Sequence, residues 1–211
     1  MFTLAAVRGV SRWHHLVVAL ELQHAVTKLV VDVLGAGSAP TPAWLMRPGE
    51  AECGSRWPLV QAIYADLSDG RVLPTAMPPR ERRNVDCVLV VDGTHRILEV
   101  DEKQHFNHFR SRALGAYTDE IDVAFPIGDW IAAGESKRRL EGGGFGRPCP
   151  PLFPEAGGRH RQRAFRDSLA DILPATFGWL PTLRIADFEV KPWIYGPSPK
   201  QNMQTLLAAR L

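Results

Sequence analysis

Apolar residues recur at helical spacing in the first third of the chain. Residues 13–34 are largely apolar and end before Gly35, which is followed by a stretch rich in Gly and Pro. Residues 50–67 carry an apolar stripe made of Trp57, Val60, Ile63, Tyr64 and Leu67. Spacings of three and four residues place side chains on one face of a helix. The pattern therefore predicts a helix within each of these two segments.

The middle of the chain predicts a β-hairpin. Residues 85–91 and 96–103 are rich in Val, Ile and Leu, and Asp92-Gly93 stands between them. Such a dipeptide between two apolar runs favours a tight turn. The predicted elements that follow are a helix at 106–117, a short strand at 121–125, a short helix at 127–133, a helix at 159–173 and a strand at 181–190. This order predicts an α/β fold with a mixed central sheet flanked by helices.

Length, composition and cysteine usage set the broad class. The 211 residues suit one domain with insertions, and 45% hydrophobic with 23% charged residues is typical of a soluble globular protein. Three cysteines without a CxxC pair argue against a disulfide framework and a structural zinc site, and favour a reducing cytoplasm. Charged residues and histidines interrupt residues 13–34, which favours a helix packed on the core over a membrane span.

The second predicted hairpin strand carries the candidate chemistry. Glu99, Asp101 and Lys103 follow each other at every second position, so on a strand they share one face at steps of about 6.6 Å. Carboxylates gathered in a partly buried place need a compensating cation, and hard divalent metals prefer carboxylate oxygens. Asp86, near the start of the first hairpin strand, faces the same spot if the register allows.

This arrangement predicts a metal site for phosphodiester hydrolysis. A metal held by Asp86 and Asp101 would polarise a phosphodiester oxygen and activate a water, and Lys103 would orient that water or stabilise negative charge. The alternative is a solvent-facing sheet surface with alternating charges. The apolar run that precedes the acids favours the site.

Asp86 followed by Glu99-Val-Asp-Glu-Lys103 resembles the PD-(D/E)XK, or restriction-endonuclease-like, nucleases, which carry an acid on one strand and acid-x-Lys on its neighbour. With Gln104-His105-Phe106 behind it, the segment is more similar to the branch of very-short-patch repair endonucleases. Residues 163–167 and 181–185 also resemble the closing helix and strand of that branch. The resemblance covers about residues 50–106 and 159–190.

The resemblance implies a restriction-endonuclease-like core, Mg²⁺-dependent cleavage of DNA with Mn²⁺ as an alternative metal, and a glutamate from the helix before the sheet. Glu52 or Glu50 would fill that last role, with Glu21 as a fallback; otherwise each is a surface helix acid. Glu102 stands where the branch commonly has Gly, so Glu99 remains an alternative to Asp101 as the main ligand.

His105 has two interpretations: contact with a water or a phosphate, or a bond to the backbone at a strand end. The basic residues near the chain's second half are candidates for phosphate contacts because local positive charge attracts polyanions. They comprise Arg138, Arg139, Arg147, Arg159 and Arg163. The first three flank the glycine-rich run 142–146, which lies in a Gly/Pro-rich insertion at about 134–158. This insertion belongs to a nuclease-like domain at 46–211 that follows a helical extension at 1–45.

The leading hypothesis is a cytoplasmic metal-dependent DNA endonuclease in restriction, repair or phage defence, with no membrane partner. The alternative is a non-catalytic nucleic-acid-binding protein on a nuclease fold. A third hypothesis is a structural subunit that docks through its first helix. A homodimer is compatible with each of these hypotheses.

Overall fold

A computed structural model describes residues 7–79, 83–136 and 146–211, with side chains from residue 20 onward in the first segment. Within these residues the chain forms a four-stranded sheet whose strands are neighbours in chain order, and helices flank it. The strands are β1 (Gly37–Ala39), β2 (Cys87–Val91), β3 (Thr94–Asp101) and β4 (Leu180–Ala186). The first three are antiparallel neighbours and β4 is parallel to β3, which confirms the predicted α/β class with a mixed sheet.

The hairpin forms as its sequence predicts. Asp92 and Gly93 adopt φ values of 50° and 76°, the left-handed pair that a two-residue turn needs. The resulting register sets Cys87 opposite Leu98. One pair further along, Asp86 comes opposite Glu99, so both lie on the same side of the sheet.

One face of the sheet is covered by α1 (Val7–Leu34) and α9 (Pro199–Ala208). Leu22, Val26 and Val30 of α1 lie one helical turn apart and are buried against Leu98, Val100, Leu183 and Ile185. The first predicted helix thus packs on the same sheet as the rest of the chain. No helix in the described residues is long and apolar enough to span a membrane.

The other face is covered by α4 (Trp57–Leu67), α5 (His108–Gly115) and α7 (Gly158–Ile172). The predicted α4 stripe is buried throughout and packs against Phe153, Phe165 and Leu169. Three short helices, α2 (Ala43–Met46), α3 (Glu50–Cys53) and α8 (Asp187–Val190), lie in the connections. The helix α6 (Ile127–Glu135) closes one end of the core with the fully buried Trp130.

Three sequence expectations need correction. The second hairpin strand ends at Asp101, not at Lys103, because a turn begins after Glu102. The strand predicted at 121–125 is reduced to an isolated bridge between Ala124 and Leu183. Residues 187–190, predicted as the end of a strand, form α8.

Candidate active site

A cavity of about 240 Å³ opens at the carboxyl end of β3, between the sheet and α7. The strand β3 supplies Glu99, with Asp86 just before β2, and α7 supplies three arginines together with Asp167. The lining residues are Gln23, Arg83, Asn84, Asp86, Glu99, Val100, Glu102, Gln104, His105, Arg159, Arg163, Arg166 and Asp167. The cavity therefore brings together opposite charges from segments far apart in the sequence.

Asp86 and Glu99 form the acidic wall. Asp86 Oδ2 accepts a hydrogen bond from the Val100 N–H at 2.8 Å, and no bond to Oδ1 from the described residues is present. Burial, opposed by this bond and reinforced by the Asp101 charge, raises the pKa of Asp86 to about 6. Burial likewise raises the pKa of Glu99 to about 7, despite its ion pair with Arg83. Both acids are thus held in a place that disfavours their charge.

The helix α7 supplies the basic wall. Arg159, Arg163 and Arg166 stand at spacings of four and three, so they lie on the helix face that meets the cavity. Burial, with the nearby Arg163 charge, lowers the pKa of Arg159. Arg161 points elsewhere and donates to the Leu67 carbonyl at 2.6 Å and to Asp69 at 2.8 Å. Arg159, Arg163 and Arg166 therefore share a helix face that Arg161 does not.

His105 lies between two buried carboxylates and an arginine of the basic wall. Its Nδ1 lies 3.0 Å from Asp167 Oδ2 and 3.2 Å from Asp101 Oδ1, and its Nε2 lies 2.9 Å from Arg163 Nη1. A guanidinium only donates and a carboxylate only accepts, so Nδ1 carries the proton and Nε2 accepts from Arg163. Burial opposes charge on Asp167, but His105 and Arg184 hold its pKa well below the usual value. Side-chain partners therefore replace the backbone bond that one interpretation of His105 expected.

Asp101 lies outside the cavity, contrary to its predicted role. It is fully buried, and both of its oxygens are within 3.0 Å of Arg184 Nη1. Oδ2 also accepts from the Trp130 indole at 2.6 Å, and Oδ1 lies near His105. These contacts occupy the positions through which a carboxylate would bind a metal. Asp101 is thus an internal counterion of Arg184.

The same buried network continues through α5 and α7. Arg184 Nε donates to Asp171 Oδ1 at 2.7 Å, and Arg110 Nη2 donates to Asp171 Oδ2 at 2.5 Å. Tyr117 donates to the same oxygen at 2.7 Å. Burial disfavours the Arg184 charge, but Asp101 and Asp171 raise its pKa well above the usual value. We call Asp101, Arg110, Tyr117, Asp171 and Arg184 the buried ion network.

Lys103 and Glu52 also lie away from the cavity lining. Lys103 is exposed in the turn after β3, so it does not share the strand face of Glu99 and Asp101. Glu52 Oε2 accepts from the Gly49 N–H at 2.8 Å and lines a different cavity, beside Thr75 and Met77. The alternatives Glu50 and Glu21 are exposed on α3 and α1. The geometry thus supports a capping role for Glu52.

The predicted basic residues divide into three groups. Arg159 and Arg163 line the cavity. Arg147 is exposed and lies outside the lining, although its charge reaches Arg159. Arg138 and Arg139 fall in 137–145, outside the described residues.

A divalent metal fits the donors of the cavity in one specific way. In the described part of the chain, no group of three or more His, Cys, Asp or Glu side chains is arranged to hold a metal ion. Asp86 and Glu99 offer two carboxylates on adjacent strands, and Mg²⁺ commonly takes one or two carboxylates and completes its shell with water and phosphate oxygens. The donor chemistry therefore fits Mg²⁺ with Asp86 and Glu99, without Asp101.

Several cavity residues escaped the sequence analysis. Arg83 belongs to no recognised motif, and Gln23 comes from the first helix. Asp167 and Arg166 lie in the segment 163–167 that resembles the closing helix, but neither was assigned to the site. Arg166 had a further signal, because it continues the spacing of Arg159 and Arg163 along α7.

Comparisons with protein-family models, with curated proteins and with solved structures found no match to this chain.

Proposed function

We propose that this protein is a metal-dependent DNA endonuclease that hydrolyses phosphodiester bonds in the cavity between β3 and α7. The observation that carries the proposal is the division of the cavity into an acidic strand wall and a basic helix wall. A metal-bound phosphodiester needs both: oxygens for the cation and donors for the phosphate. The resemblance of Asp86 and Glu99-Val-Asp-Glu-Lys103 to restriction-endonuclease-like nucleases supports the same class, although Asp101 and Lys103 of that motif lie outside the cavity lining.

Each wall has a defined task in this reaction. Asp86 and Glu99 hold the metal, and Arg159 and Arg163 bind phosphate oxygens of the DNA strand. His105 accepts from Arg163 and thereby orients the guanidinium at the cavity wall. When bound, the divalent cation polarises a phosphodiester oxygen and makes a water ligand more acidic.

The direct test is incubation of plasmid, linear and single-stranded DNA with purified protein and Mg²⁺, Mn²⁺ or EDTA. We expect cleavage with either metal and none with EDTA. Asp86→Asn should reduce the rate by about 100-fold or more, since a lost metal ligand removes several kcal/mol of stabilisation. The control is Asp66→Asn, which alters an exposed acid paired with Arg112 and should leave the rate unchanged. Equal rates in the two variants would refute the assignment.

One observation favours a second candidate, a nucleic-acid-binding protein without catalysis. Glu99 is paired with Arg83, and Lys103 stays outside the cavity lining. A protein of this kind would bind DNA with the same affinity in Mg²⁺ and in EDTA, and would leave every DNA substrate intact.

A further inference from the structure

Arg83 is a buried cation with unused hydrogen-bonding capacity. Its side chain is 6% exposed and lines the active-site cavity. Its Nη2 forms the ion pair with Glu99 and lies 3.8 Å from Asp167 Oδ1. Its Nε and Nη1 are buried and have no hydrogen-bond acceptor among the described residues.

Unpaired donors of this kind are costly. Leaving a buried polar group without a partner costs roughly 1–3 kcal/mol, and more for a charged one. Such groups are few in folded proteins, and each calls for an explanation. Among the described residues Arg96 and Arg110 also have one such atom each, but Arg83 has two and lines the cavity. Because Arg83 lines the cavity, an acceptor bound there would supply the partner that these donors lack among the described residues.

The surroundings define the chemistry of that acceptor. Arg159 and Arg163 line the same cavity as Arg83, so an acceptor bound there lies among several guanidinium groups. An oxyanion with several oxygens satisfies the donors of Arg83 and balances the helix arginines together. Guanidinium groups match the geometry of a phosphoryl group especially well.

We propose that the cavity contains a phosphoryl-binding subsite in which Arg83 donates to the oxyanion through Nε and Nη1 while Nη2 stays on Glu99, and Arg163 donates from α7. Arg163 uses Nη1 on His105, and within the described residues no other hydrogen bond occupies its remaining donors, which can therefore serve the ligand. Arg83 then joins the phosphoryl group to the acidic wall. The choice of a phosphoryl group over other oxyanions rests on the proposed function.

The test measures binding of inorganic phosphate by calorimetry in EDTA, with the full chain. Arg83→Lys keeps the positive charge beside Glu99 but removes the fork of donors. We expect its phosphate affinity to fall by about tenfold or more, because bonds to charged groups contribute about 1.5–3 kcal/mol each. The matched control is Arg96→Lys, which alters another largely buried arginine that lies outside the cavity lining and should bind phosphate as the wild type does.

A second pair of variants covers the case in which Arg83→Lys does not fold. Arg163→Gln should weaken phosphate binding at least about threefold, since a charge beside the anion is lost. Arg161→Gln, on the same helix but facing Asp69, should not change it. No phosphate binding by the wild type, or equal affinities within each pair, would overturn the subsite.

Two further arms identify the source of the phosphoryl group and separate this proposal from the nuclease proposal. Tighter binding of a 5′-phosphorylated oligonucleotide than of its unphosphorylated twin assigns the subsite to a strand end, and equal binding assigns it to internal phosphodiesters. Phosphate binding without DNA cleavage under any metal would remove the nuclease function and leave the subsite. DNA cleavage together with an unchanged phosphate affinity in Arg83→Lys would refute the subsite and leave the nuclease proposal in place.

Discussion

Glu99 and Asp101 stand two residues apart on the same face of β3, yet they belong to regions with opposite properties. Asp101 lies in the buried ion network, where Arg184, Trp130 and His105 contact both of its oxygens. Glu99 and Asp86 line the cavity, where burial raises the pKa values of both acids to about 7 and about 6. The Asp101 carboxylate is satisfied by the chain itself, whereas the cavity lined by Asp86 and Glu99 is where we propose that a ligand binds.

The difference arises from what lies opposite each acid. Beyond Asp101 the α6 helix brings Trp130 and the β4 strand brings Arg184, so the carboxylate is fully enclosed. Opposite Asp86 and Glu99 the α7 helix presents arginines across an open cavity. Along α7, one stripe with a spacing of four residues carries Arg159 and Arg163 and then Asp167 and Asp171. The same helix stripe therefore lines the cavity at one end and the network at the other.

The largest expected effect is on folding, from Asp101→Ala. The change leaves the fully buried Arg184 short of a counterion, and breaking a buried ion pair from one side typically costs about 3–5 kcal/mol. Urea denaturation should show a loss of this size in the free energy of unfolding. Asp66→Ala, which breaks an exposed pair with Arg112, should cost under about 1 kcal/mol. Similar losses of free energy of unfolding in the two variants would contradict a special role of the buried ion network.

The next effect is a gain in stability from Asp86→Asn without metal. The folded-state pKa of about 6 lies above the ordinary value of 3.8, so the folded state binds more protons between these values. The contribution of Asp86 to the free energy of unfolding is thus fully present below about pH 4 and is lost as the pH rises through about 6. Asn removes that loss, so the free energy of unfolding at pH 8 should rise by on the order of 2 kcal/mol. No gain in the free energy of unfolding at pH 8, or an equal gain at pH 4, would contradict the raised pKa of Asp86.

A smaller effect concerns the pH dependence of cleavage. In the proposed reaction, protons would compete with the metal for Asp86 and Glu99, whose pKa values are raised to about 6 and about 7 by burial. At subsaturating Mg²⁺ the cleavage rate should therefore rise about tenfold or more between roughly pH 5.5 and roughly pH 7.5, a range that extends about half a unit beyond each pKa value. A flat profile across that range would separate the two acids from metal binding.

The smallest effect comes from Glu52→Ala. The change removes the bond to the Gly49 N–H at the start of α3, and loss of such a cap costs roughly 0.5–1 kcal/mol. Thermal denaturation should show this modest loss, and DNA cleavage should be unchanged because Glu52 lies outside the cavity lining. A strong loss of cleavage would return Glu52 to the candidate site.

The sequence predicted the hairpin and the α4 packing well because both depend on neighbouring residues. The Asp92-Gly93 turn and the stripe from Trp57 to Leu67 are encoded locally. β1 was missed because Gly37-Ser38-Ala39 has no β-branched or aromatic residue and is a strand only through its pairing with β2.

The candidate site was predicted in part for the same reason. The alternation of side chains along β3 placed Glu99 and Asp101 on one face. It could not show that Arg184, 83 residues away, forms an ion pair with Asp101. It also could not show that the strand ends before Lys103. Arg83 was missed because its significance lies in unpaired donors, which only the packed structure reveals.

The central claim is that Asp86 and Glu99, and not Asp101, form the metal-binding side of the cavity. Titration of the protein with Mn²⁺, followed by electron paramagnetic resonance, tests this claim without requiring activity. We predict that the wild type binds Mn²⁺, that Asp86→Asn loses this binding, and that Asp66→Asn retains it, since Asp66 is an exposed acid paired with Arg112. Undiminished Mn²⁺ binding by Asp86→Asn, or none by the wild type, would contradict the account.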